Sequence, residues 1–161
     1  EPGSEGHGLP WRETIKEHVL RRIARETSFQ VLFQLDMGNT DKDLTIQLLS
    51  EEKGLGKADR AYLEETLRLF LEHRDEIDSV LTRYLKKGWS MDRLGSAERA
   101  ILRLAPLEIL YMEDIPPQVS INEAIELTKA FGDDEAAPLV NGVLDRVAHG
   151  ADGTLEPVQD E

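Results

Sequence analysis

The sequence predicts an all-α fold, a compact bundle of about seven helices. Apolar residues recur at three- and four-residue spacing along most of the chain, which is the period of an amphipathic helix. No segment shows the period-two alternation of a half-buried strand. Glycines and prolines divide the apolar stretches into helix-sized pieces. With 161 residues, the chain has the size of one domain and can bury a core without disulfides or metals.

The first helix is expected over residues 14–37, ending at Gly38-Asn39. One side is small and apolar, and the other carries His18, Arg22, Arg25, Phe29 and Phe33. Arginines above two aromatic rings can bind phosphate and stack unpaired bases. The alternative is that the phenylalanines pack under another helix while the arginines are merely solvated. The periodicity by itself favours this alternative for the phenylalanines.

Three shorter helical stretches are expected next. A second helix ends at Leu49 and is capped at its start by Asp41 or Thr40, because either side chain can accept hydrogen bonds from free backbone N–H groups. Residues 57–73 have the helical period, and residues 75–85 continue as a fourth helix.

Residues 96–112 are apolar on nearly all sides, which predicts a helix buried at the centre of the fold. Pro106 falls inside this helix, where it removes the bond to the Leu102 carbonyl at a cost of roughly 3 kcal/mol if nothing compensates. The helix is therefore expected to bend there or to be two short helices. Glu98 is expected to face outward, because a buried unpaired carboxylate would be costly.

Two short helices separated by an acidic turn complete the bundle. Pro116 and Pro117 close off the preceding segment. Ser120 stands three residues before Glu123, which is the capping-box pattern of a helix start. Gly132 ends this helix, and the apolar face of the last helix follows it.

Polar residues in these last helices have a structural interpretation. Asn122 and Asn141 interrupt apolar faces and are expected to be buried amides that bond the backbone at a helix junction. Gly142 is expected to permit close helix approach. The acidic turn at residues 133–135 is expected to be a solvated helix start rather than a metal site, since adjacent carboxylates rarely converge on one ion and suit the helix dipole.

The charge is strongly acidic, with a net value of −13. Most nucleic-acid-binding proteins carry a basic face, so the net charge argues against nucleic-acid binding. The distribution of charge along the chain weakens that argument. Residues 15–35 carry four basic side chains against two acidic ones. Local charge decides contact and net charge decides long-range steering. We therefore expect any affinity for nucleic acid to be weak.

Residues 1–10 are expected to be a disordered N-terminal segment, residues 11–149 a helical domain, and residues 150–161 an acidic disordered tail. The absence of cysteine fits a reducing compartment. No apolar run is long enough to span a bilayer, so no membrane association and a cytoplasmic location are expected.

The sequence predicts no catalysis, no cofactor and no metal site. The four histidines lack metal-ligand spacing, and no serine has a histidine partner nearby in the sequence. Gly54-Leu55-Gly56-Lys57 lacks the spacing of a phosphate-binding loop.

Several separated motifs follow one another along the chain. They are Arg21-Arg22-Ile23-Ala24-Arg25-Glu26, Asp92-Arg93-Leu94, Glu98-Arg99-Ala100-Ile101-Leu102-Arg103 with Glu108, Ile121-Asn122-Glu123-Ala124, Glu126-Leu127 with Lys129 and Phe131, and Val140-Asn141-Gly142-Val143-Leu144-Asp145. In this order they resemble the NusB family of bacterial transcription antitermination factors. The resemblance extends from about residue 20 to residue 147, which is most of the chain. One such motif would be weak, whereas the ordered set is specific.

The resemblance implies an RNA-binding adaptor. Its partners would be a ribosomal protein acting as NusE, single-stranded boxA-type RNA and the antitermination complex of RNA polymerase, and its role would be to promote ribosomal RNA transcription. The expected RNA-binding residues are Arg21, Arg22, Arg25, Phe33, Phe131 and Glu135. Glu98 is expected to contact the ribosomal partner.

The chain departs from the family pattern at three positions. Ile23 stands where another arginine is common, Pro138 where a lysine can occur, and Leu139 where a phenylalanine is common. These departures imply a smaller set of RNA contacts. Some family members dimerise over their RNA face, so a homodimer is left open beside a monomer.

Two alternatives from other classes are open at the level of sequence. One is the NusB-like N-terminal module of a ribosomal RNA cytosine methyltransferase, whose catalytic domain would carry a cysteine that this chain lacks. The other is a helical scaffold that binds only proteins, which the net charge favours. The scaffold predicts no RNA contact even with the partner present.

Overall fold

The computed structural model of the chain describes residues 22–39 and 41–151, and every regular element in this part is helical. The all-α prediction is therefore confirmed. The described residues form six α helices: α1 Arg22–Asp36, α2 Lys42–Glu52, α3 Lys57–Tyr84, α4 Ser96–Tyr111, α5 Pro117–Phe131 and α6 Ala137–Ala151. Short 3-10 turns precede α4 at Met91–Arg93 and α6 at Asp134–Ala136.

Parts of the predicted organisation lie outside the described residues. These parts are the N-terminal segment 1–10, the start of the first helix near residue 14, and the acidic tail from residue 152. Gly150 and Ala151, which the sequence placed in the tail, belong to α6. No helix in the described part of the chain has both the length and the apolar character needed to cross a membrane.

Helix α4 lies at the centre of the bundle, as predicted, and packs against α1, α3, α5 and α6. Its residues from Ala100 to Glu108 are all buried, so almost no face of this helix meets solvent. The helix continues through Pro106 to Tyr111 as one element, so the alternative of two short helices is wrong. Burial of apolar surface on all sides stabilises the helix against the loss of one backbone hydrogen bond.

The two helices predicted at residues 57–73 and 75–85 are one long helix, α3. The backbone leaves helical geometry only at His73, with φ −118° and ψ 18°. There the imidazole stacks on the Tyr111 ring, with centroids 4.0 Å apart, and its Nδ1 lies 2.6 Å from Glu76 Oε1. These contacts hold both halves against α4. The merger accounts for six described helices where about seven were predicted.

The predicted caps have different outcomes. Asp41 caps α2 as expected, because its carboxylate accepts a hydrogen bond from the Leu44 N–H at 3.1 Å, while Thr40 lies outside the described residues. The capping box at Ser120 is wrong. Helix α5 already begins at Pro117, whose ring pre-sets a helical φ and whose missing N–H needs no partner at that position. Ser120 is instead buried inside the helix.

The structural roles expected for the two asparagines are also wrong. Both are exposed, and the Asn122 carbonyl accepts a hydrogen bond from the Gln118 amide within its own helix. An added Cβ at Gly142 would meet only the flexible Arg146 guanidinium at 3.7 Å, so no close approach requires that glycine. The close approach is at Gly150, where a Cβ would overlap the Tyr84 hydroxyl.

Candidate functional site

Three phenylalanines from α1 and α5 line one groove. The Phe29 ring lies 6.0 Å from Phe33 and 5.1 Å from Phe131, measured between centroids. Phe29 is buried, Phe33 is half-buried, and Phe131 is 41% exposed. The cavity has a volume of about 420 Å³, and Gln30, Gln34, Leu49, Glu52, Lys53 and Ala97 complete its lining. We call it the aromatic groove.

The aromatic groove combines a fixed ring with two accessible ones. Phe29 packs under α5, as the periodicity favoured, and so supports Phe131 from below. Phe33 and Phe131 leave ring surface open to solvent. A flat, unpaired base can stack on such rings, whereas the bases of a duplex are covered by their neighbours. The amides of Gln30 and Gln34 add hydrogen-bonding groups at the rim.

Arg22 is exposed at the start of α1, but an acidic partner compensates its charge. Its Nε and Nη2 donate to the two carboxylate oxygens of Glu123 on α5, both at 3.0 Å. The hydrogen bond from Arg22 lowers the pKa of Glu123, against the effect of burial, and the same bond raises the pKa of Arg22. The guanidinium therefore contacts solvent as half of an ion pair. Arg21, the neighbouring candidate, lies outside the described residues.

The structure contradicts the exposed position expected for Arg25. This side chain is only 3% exposed, and its Nε and Nη2 donate to the Glu108 carboxylate at 2.9–3.2 Å. Burial alone would lower the pKa of Arg25, but the charge of Glu108 and its hydrogen bonds outweigh burial and raise it. The helix rotation that puts Phe33 in the groove turns Arg25 toward α4. Arg25 is thus a core residue and cannot reach phosphate in this structure.

Glu108 is the centre of a buried polar cluster that the sequence did not reveal. Besides Arg25, the hydroxyl of Tyr62 on α3 donates to its Oε2, and Ser120 Oγ on α5 donates to Oε1 at 2.7 Å. Burial, followed by the charge of Glu108, raises the pKa of Tyr62 well above its ordinary value. The available signal in the sequence was Glu108 itself, a carboxylate in a long apolar helix. The partners of Glu108 come from three other helices, so sequence spacing could not identify them.

Glu98 also lies opposite to its predicted orientation. Its side chain is buried, with 8% of the residue exposed, and its Oε2 accepts a hydrogen bond from the Asp133 N–H at 2.7 Å. A Cβ at Gly95 or at Gly132 would collide with this carboxylate, so both glycines permit its close approach. The expected cost of burial is avoided because the backbone supplies a donor. Glu98 thereby fixes the turn that follows Phe131.

Glu135 belongs to that turn, four residues after Phe131 of the aromatic groove. The Asp133 carboxylate accepts a hydrogen bond from the Glu135 N–H at 3.0 Å, which orders the 3-10 turn before α6. Glu135 itself is exposed. Its oxygens can accept hydrogen bonds from the amino group of a base, which is the usual way a carboxylate contacts cytosine.

Arginines on α4 that look available in the sequence are committed to other helices. Arg99 and Arg103 both bond Asp36 at the end of α1, at 3.0–3.1 Å. Arg103 also pairs with Asp78 on α3 at 2.9 Å. Arg99 donates to the carbonyls of Met91 and Leu94. These bonds tie α4 to α1, to α3 and to the segment that precedes α4, and they leave little charge for a ligand.

A larger cleft, about 700 Å³, lies between α2 and α3 and shares no lining residue with the aromatic groove. Its arginines face carboxylates: Arg60 pairs with Glu64, and Arg68 pairs with Glu65 and Glu72. The cleft offers neither free positive charge nor an aromatic ring. We therefore place the candidate site at the aromatic groove despite the smaller volume.

Comparisons with known proteins identify one family. The sequence model of the NusB family matches residues 22–149. The chain is 43% identical to the transcription antitermination protein NusB of Oceanobacillus iheyensis over 127 residues, which cover 79% of this chain and 97% of that protein.

Solved structures give the same result. A chain from a crystal structure of the antitermination factors NusB and NusE in complex with dsRNA aligns with a TM-score of 0.72 at 30% identity, covering 81% of this chain and 96% of that one. NusB of T. maritima aligns with a TM-score of 0.69 at 35% identity, covering 79% and 89%.

Proposed function

Because the chain belongs to the NusB family, we propose that it is a transcription antitermination factor that binds RNA together with a ribosomal protein acting as NusE. The RNA is a single-stranded, boxA-type element of ribosomal RNA transcripts. The pair joins the antitermination complex of RNA polymerase and promotes ribosomal RNA transcription. The observation that supports this proposal most directly is the aromatic groove, with open ring surface on Phe33 and Phe131.

The aromatic groove favours unpaired RNA over a duplex. Stacking needs a free base face, and Phe131 offers one while Phe29 holds it from behind. Glu135, in the next turn, accepts a hydrogen bond from a base amino group in this proposal. The relative of known structure that carries NusE was solved with dsRNA. A duplex of the same sequence is therefore the appropriate competitor.

The electrostatics favour shared binding. The net charge is −13, and the ion pair with Glu123 compensates Arg22, so the protein alone attracts phosphate weakly. A basic partner held beside the aromatic groove would supply the missing charge and raise the effective concentration of the RNA. In this proposal the adaptor acts in the cytoplasm and catalyses no reaction. No observation favours the methyltransferase module.

The deciding experiment measures RNA affinity after removal of the exposed ring. Phe131→Ala should weaken binding of boxA-type single-stranded RNA by the protein–partner complex by about 1–3 kcal/mol, the range for one lost stacking contact. Fluorescence anisotropy with labelled RNA measures this, with and without the ribosomal partner. Unlabelled duplex of the same sequence should compete poorly.

Leu71→Ala provides a matched control. Leu71 is also an exposed large apolar residue, at 47%, but it lies on α3 outside the aromatic groove. Its truncation should leave RNA affinity unchanged. If the parent complex binds no RNA more tightly than the partner alone, the protein-only scaffold is correct and the proposal fails. Equal effects of the two truncations would place the RNA elsewhere.

A further inference from the structure

A second surface in the described residues combines basic charge with an exposed aromatic ring. Residues 83–93 contain four basic side chains and one acidic one, within a chain of net charge −13. Arg83, Lys86, Lys87 and Arg93 are all exposed, and Trp89 is 47% exposed. We call this segment, from the last turn of α3 to the 3-10 turn before α4, the basic loop.

The positive charge of the basic loop is not compensated within the described residues. Arg83, Lys86 and Lys87 form no ion pair there, in contrast to Arg22, Arg60 and Arg68, which all contact carboxylates. The single acidic side chain of the segment, Asp92, is exposed at its far end. In an acidic protein, a local patch of this kind is where a polyanion can approach.

The backbone of the basic loop is built to hold one conformation. The Trp89 N–H donates to the Lys86 carbonyl at 3.0 Å and closes a turn. Gly88 has φ +94°, a left-handed value that a type II turn requires at this position and that other residues rarely adopt. Arg93 Nη1 then donates to the Gly88 carbonyl at 2.9 Å. The lysines and the indole are therefore presented together.

The exposed ring has room beside it. Gly88, Trp89 and Arg93 line a cleft of about 430 Å³, similar in volume to the aromatic groove. An indole face with cationic side chains around it is the arrangement that binds single-stranded nucleic acid, because the ring stacks a base while the cations contact phosphates. A purely acidic peptide would use the lysines but would leave the indole without a partner.

The basic loop is also tied to the aromatic groove. Arg99 bonds the carbonyls of Met91 and Leu94 with one nitrogen, and its others bond Asp36, one turn of α1 after Phe33. Ala97, four residues after the basic loop ends at Arg93, lines the aromatic groove itself. The two surfaces are thus linked through Arg99 and the start of α4.

We propose that the basic loop is a second RNA contact, which holds the single strand beyond the segment bound in the aromatic groove. Lys86 and Lys87 contact phosphates, and Trp89 stacks one base. This inference rests on the proposed function, because it extends the same RNA. It predicts that affinity depends on the length of RNA outside the boxA-type element.

The test compares a boxA-type single strand with the same strand carrying a short uridine tail at its 5′ or its 3′ end, bound to the full chain with the ribosomal partner. The parent should bind one of the tailed RNAs more tightly than the core RNA. Lys86→Gln/Lys87→Gln should lose that gain in affinity, which we expect to be about tenfold. The slope of log K against log salt concentration should become shallower by about 1.4, because each lost phosphate contact contributes about 0.7. Binding of the core RNA should stay unchanged.

Lys42→Gln/Lys57→Gln is the matched control. It removes two lysines outside the basic loop, with the same change in net charge, and should leave the gain from the tail intact. Trp89→Ala should lose a similar part of the gain, and Trp89→Phe should restore most of it, because a ring remains. Circular dichroism establishes that each variant is folded.

Each result decides the inference separately from the proposed function. If the core RNA binds but neither tail adds affinity, the inference is wrong and the proposed function stands. The same holds if the lysine variant keeps the gain, or loses only affinity for the ribosomal partner, which would make the basic loop a protein contact. If the parent complex binds neither core nor tailed RNA, both are wrong.

Discussion

At the residue scale, the sequence and the structure assign opposite roles to neighbouring arginines. Arg22 and Arg25 are one helical turn apart, yet the first is exposed and the second is buried against Glu108. Three residues correspond to about 300° of rotation, which is about 60° short of a full turn, so the two side chains are neighbours on the helix and the boundary between surface and core falls between them. The Arg-rich opening of α1 is therefore partly structural.

For Arg22, we predict that its ion pair limits RNA binding. Arg22→Ala should weaken binding of boxA-type RNA by the protein–partner complex, because a phosphate-binding cation is lost. Glu123→Gln should strengthen it, since the guanidinium loses its bidentate carboxylate partner. Anisotropy titrations at several salt concentrations measure both. Arg68→Ala is the control, because Arg68 is similarly exposed and paired but lies on α3. If Arg22→Ala and Glu123→Gln both weaken RNA binding, the intact ion pair is the group that contacts the RNA.

For Arg25, we predict a stability effect in place of an RNA effect. Glu108→Leu should lower the free energy of unfolding by about 3–5 kcal/mol, because it leaves a buried guanidinium without its counter-charge. Arg25→Met/Glu108→Leu should recover part of that loss, since the two new side chains are apolar and similar in volume, while the buried hydroxyls of Tyr62 and Ser120 stay without their acceptor. Urea unfolding of the parent, both single variants and the double variant measures the coupling. Additive losses would show that the two side chains do not interact.

At the scale of elements, buried polar groups join helices that are far apart in the sequence. Glu108 receives hydrogen bonds from α1, α3 and α5. Asp36 ties the end of α1 to α4 through two arginines, and Glu98 ties α4 to the turn after α5. Such bonds fix how each helix is rotated, which apolar packing alone specifies less sharply.

For Glu98, we predict that it holds the turn that positions Phe131. Glu98→Ala should cost about 1.5–3 kcal/mol, the range for a hydrogen bond to a charged group, because the Asp133 N–H loses its acceptor. Glu98→Gln should cost less, since its amide oxygen can still accept. Thermal unfolding gives the stabilities, and RNA affinity should fall in the same order. A stable Glu98→Lys protein that loses only its ribosomal partner would instead support the outward orientation expected from the sequence.

Asp36 makes stability depend on pH. Burial raises the pKa of this carboxyl, but hydrogen bonds and charge from Arg99 and Arg103 outweigh burial, so the folded pKa lies below the ordinary value of 3.8. A carboxyl with a lowered folded pKa stabilises the fold above its unfolded pKa and loses that contribution as the pH falls through the folded value.

Asp36→Asn should therefore be less stable than the parent at neutral pH, and its stability should fall less steeply below about pH 4. Urea midpoints between neutral pH and about pH 3 measure the slope. Asp43→Asn, whose carboxylate is 88% exposed, is the control and should follow the parent. If stability depends on pH in the same way for Asp36→Asn and the parent, protonation of Asp36 is not coupled to folding.

At the scale of the whole molecule, an acidic chain presents two small surfaces suited to RNA. The aromatic groove and the basic loop are linked through the contacts of Arg99, and the chain as a whole carries a net charge of −13. The negative net charge repels RNA phosphates at a distance. Binding is therefore restricted to surfaces where aromatic rings or unpaired cations offset that repulsion. Dependence on a basic partner follows from this distribution.

The same net charge predicts a salt effect on folding. Raising NaCl from about 0.01 M to about 0.15 M shortens the Debye length from about 30 Å to about 8 Å, so self-repulsion weakens and the melting temperature should rise. RNA affinity should fall over the same range. Glu51→Gln/Glu52→Gln, which removes two exposed charges on α2, should show a smaller rise. A melting temperature that is independent of salt would show that the repulsion is already balanced locally.

The sequence by itself determined the helical fold, the central position of residues 96–112, the Asp41 cap and the family. These features depend on periodicity, local capping and ordered motifs, all of which are written in neighbouring residues. Through the family resemblance it also named Phe33 and Phe131 as RNA-binding candidates, although the periodicity favoured a packed position for Phe33. The predictions that Ser120 caps a helix and that Asn122 and Asn141 are buried amides are wrong. Local patterns are therefore not sufficient to assign the role of a polar side chain.

Only the tertiary structure decided which polar side chains face inward. Arg25 and Glu98 are buried because Glu108 and the Asp133 N–H, distant in the chain, meet them with good hydrogen-bond geometry. The cost of burying a charge depends on the partner that the fold brings to it, and helix rotation sets that partner. The same applies to the basic loop, whose lysines matter because no carboxylate in the described residues reaches them. Periodicity determines on which face of a helix a residue lies, and packing determines which residues that face contacts.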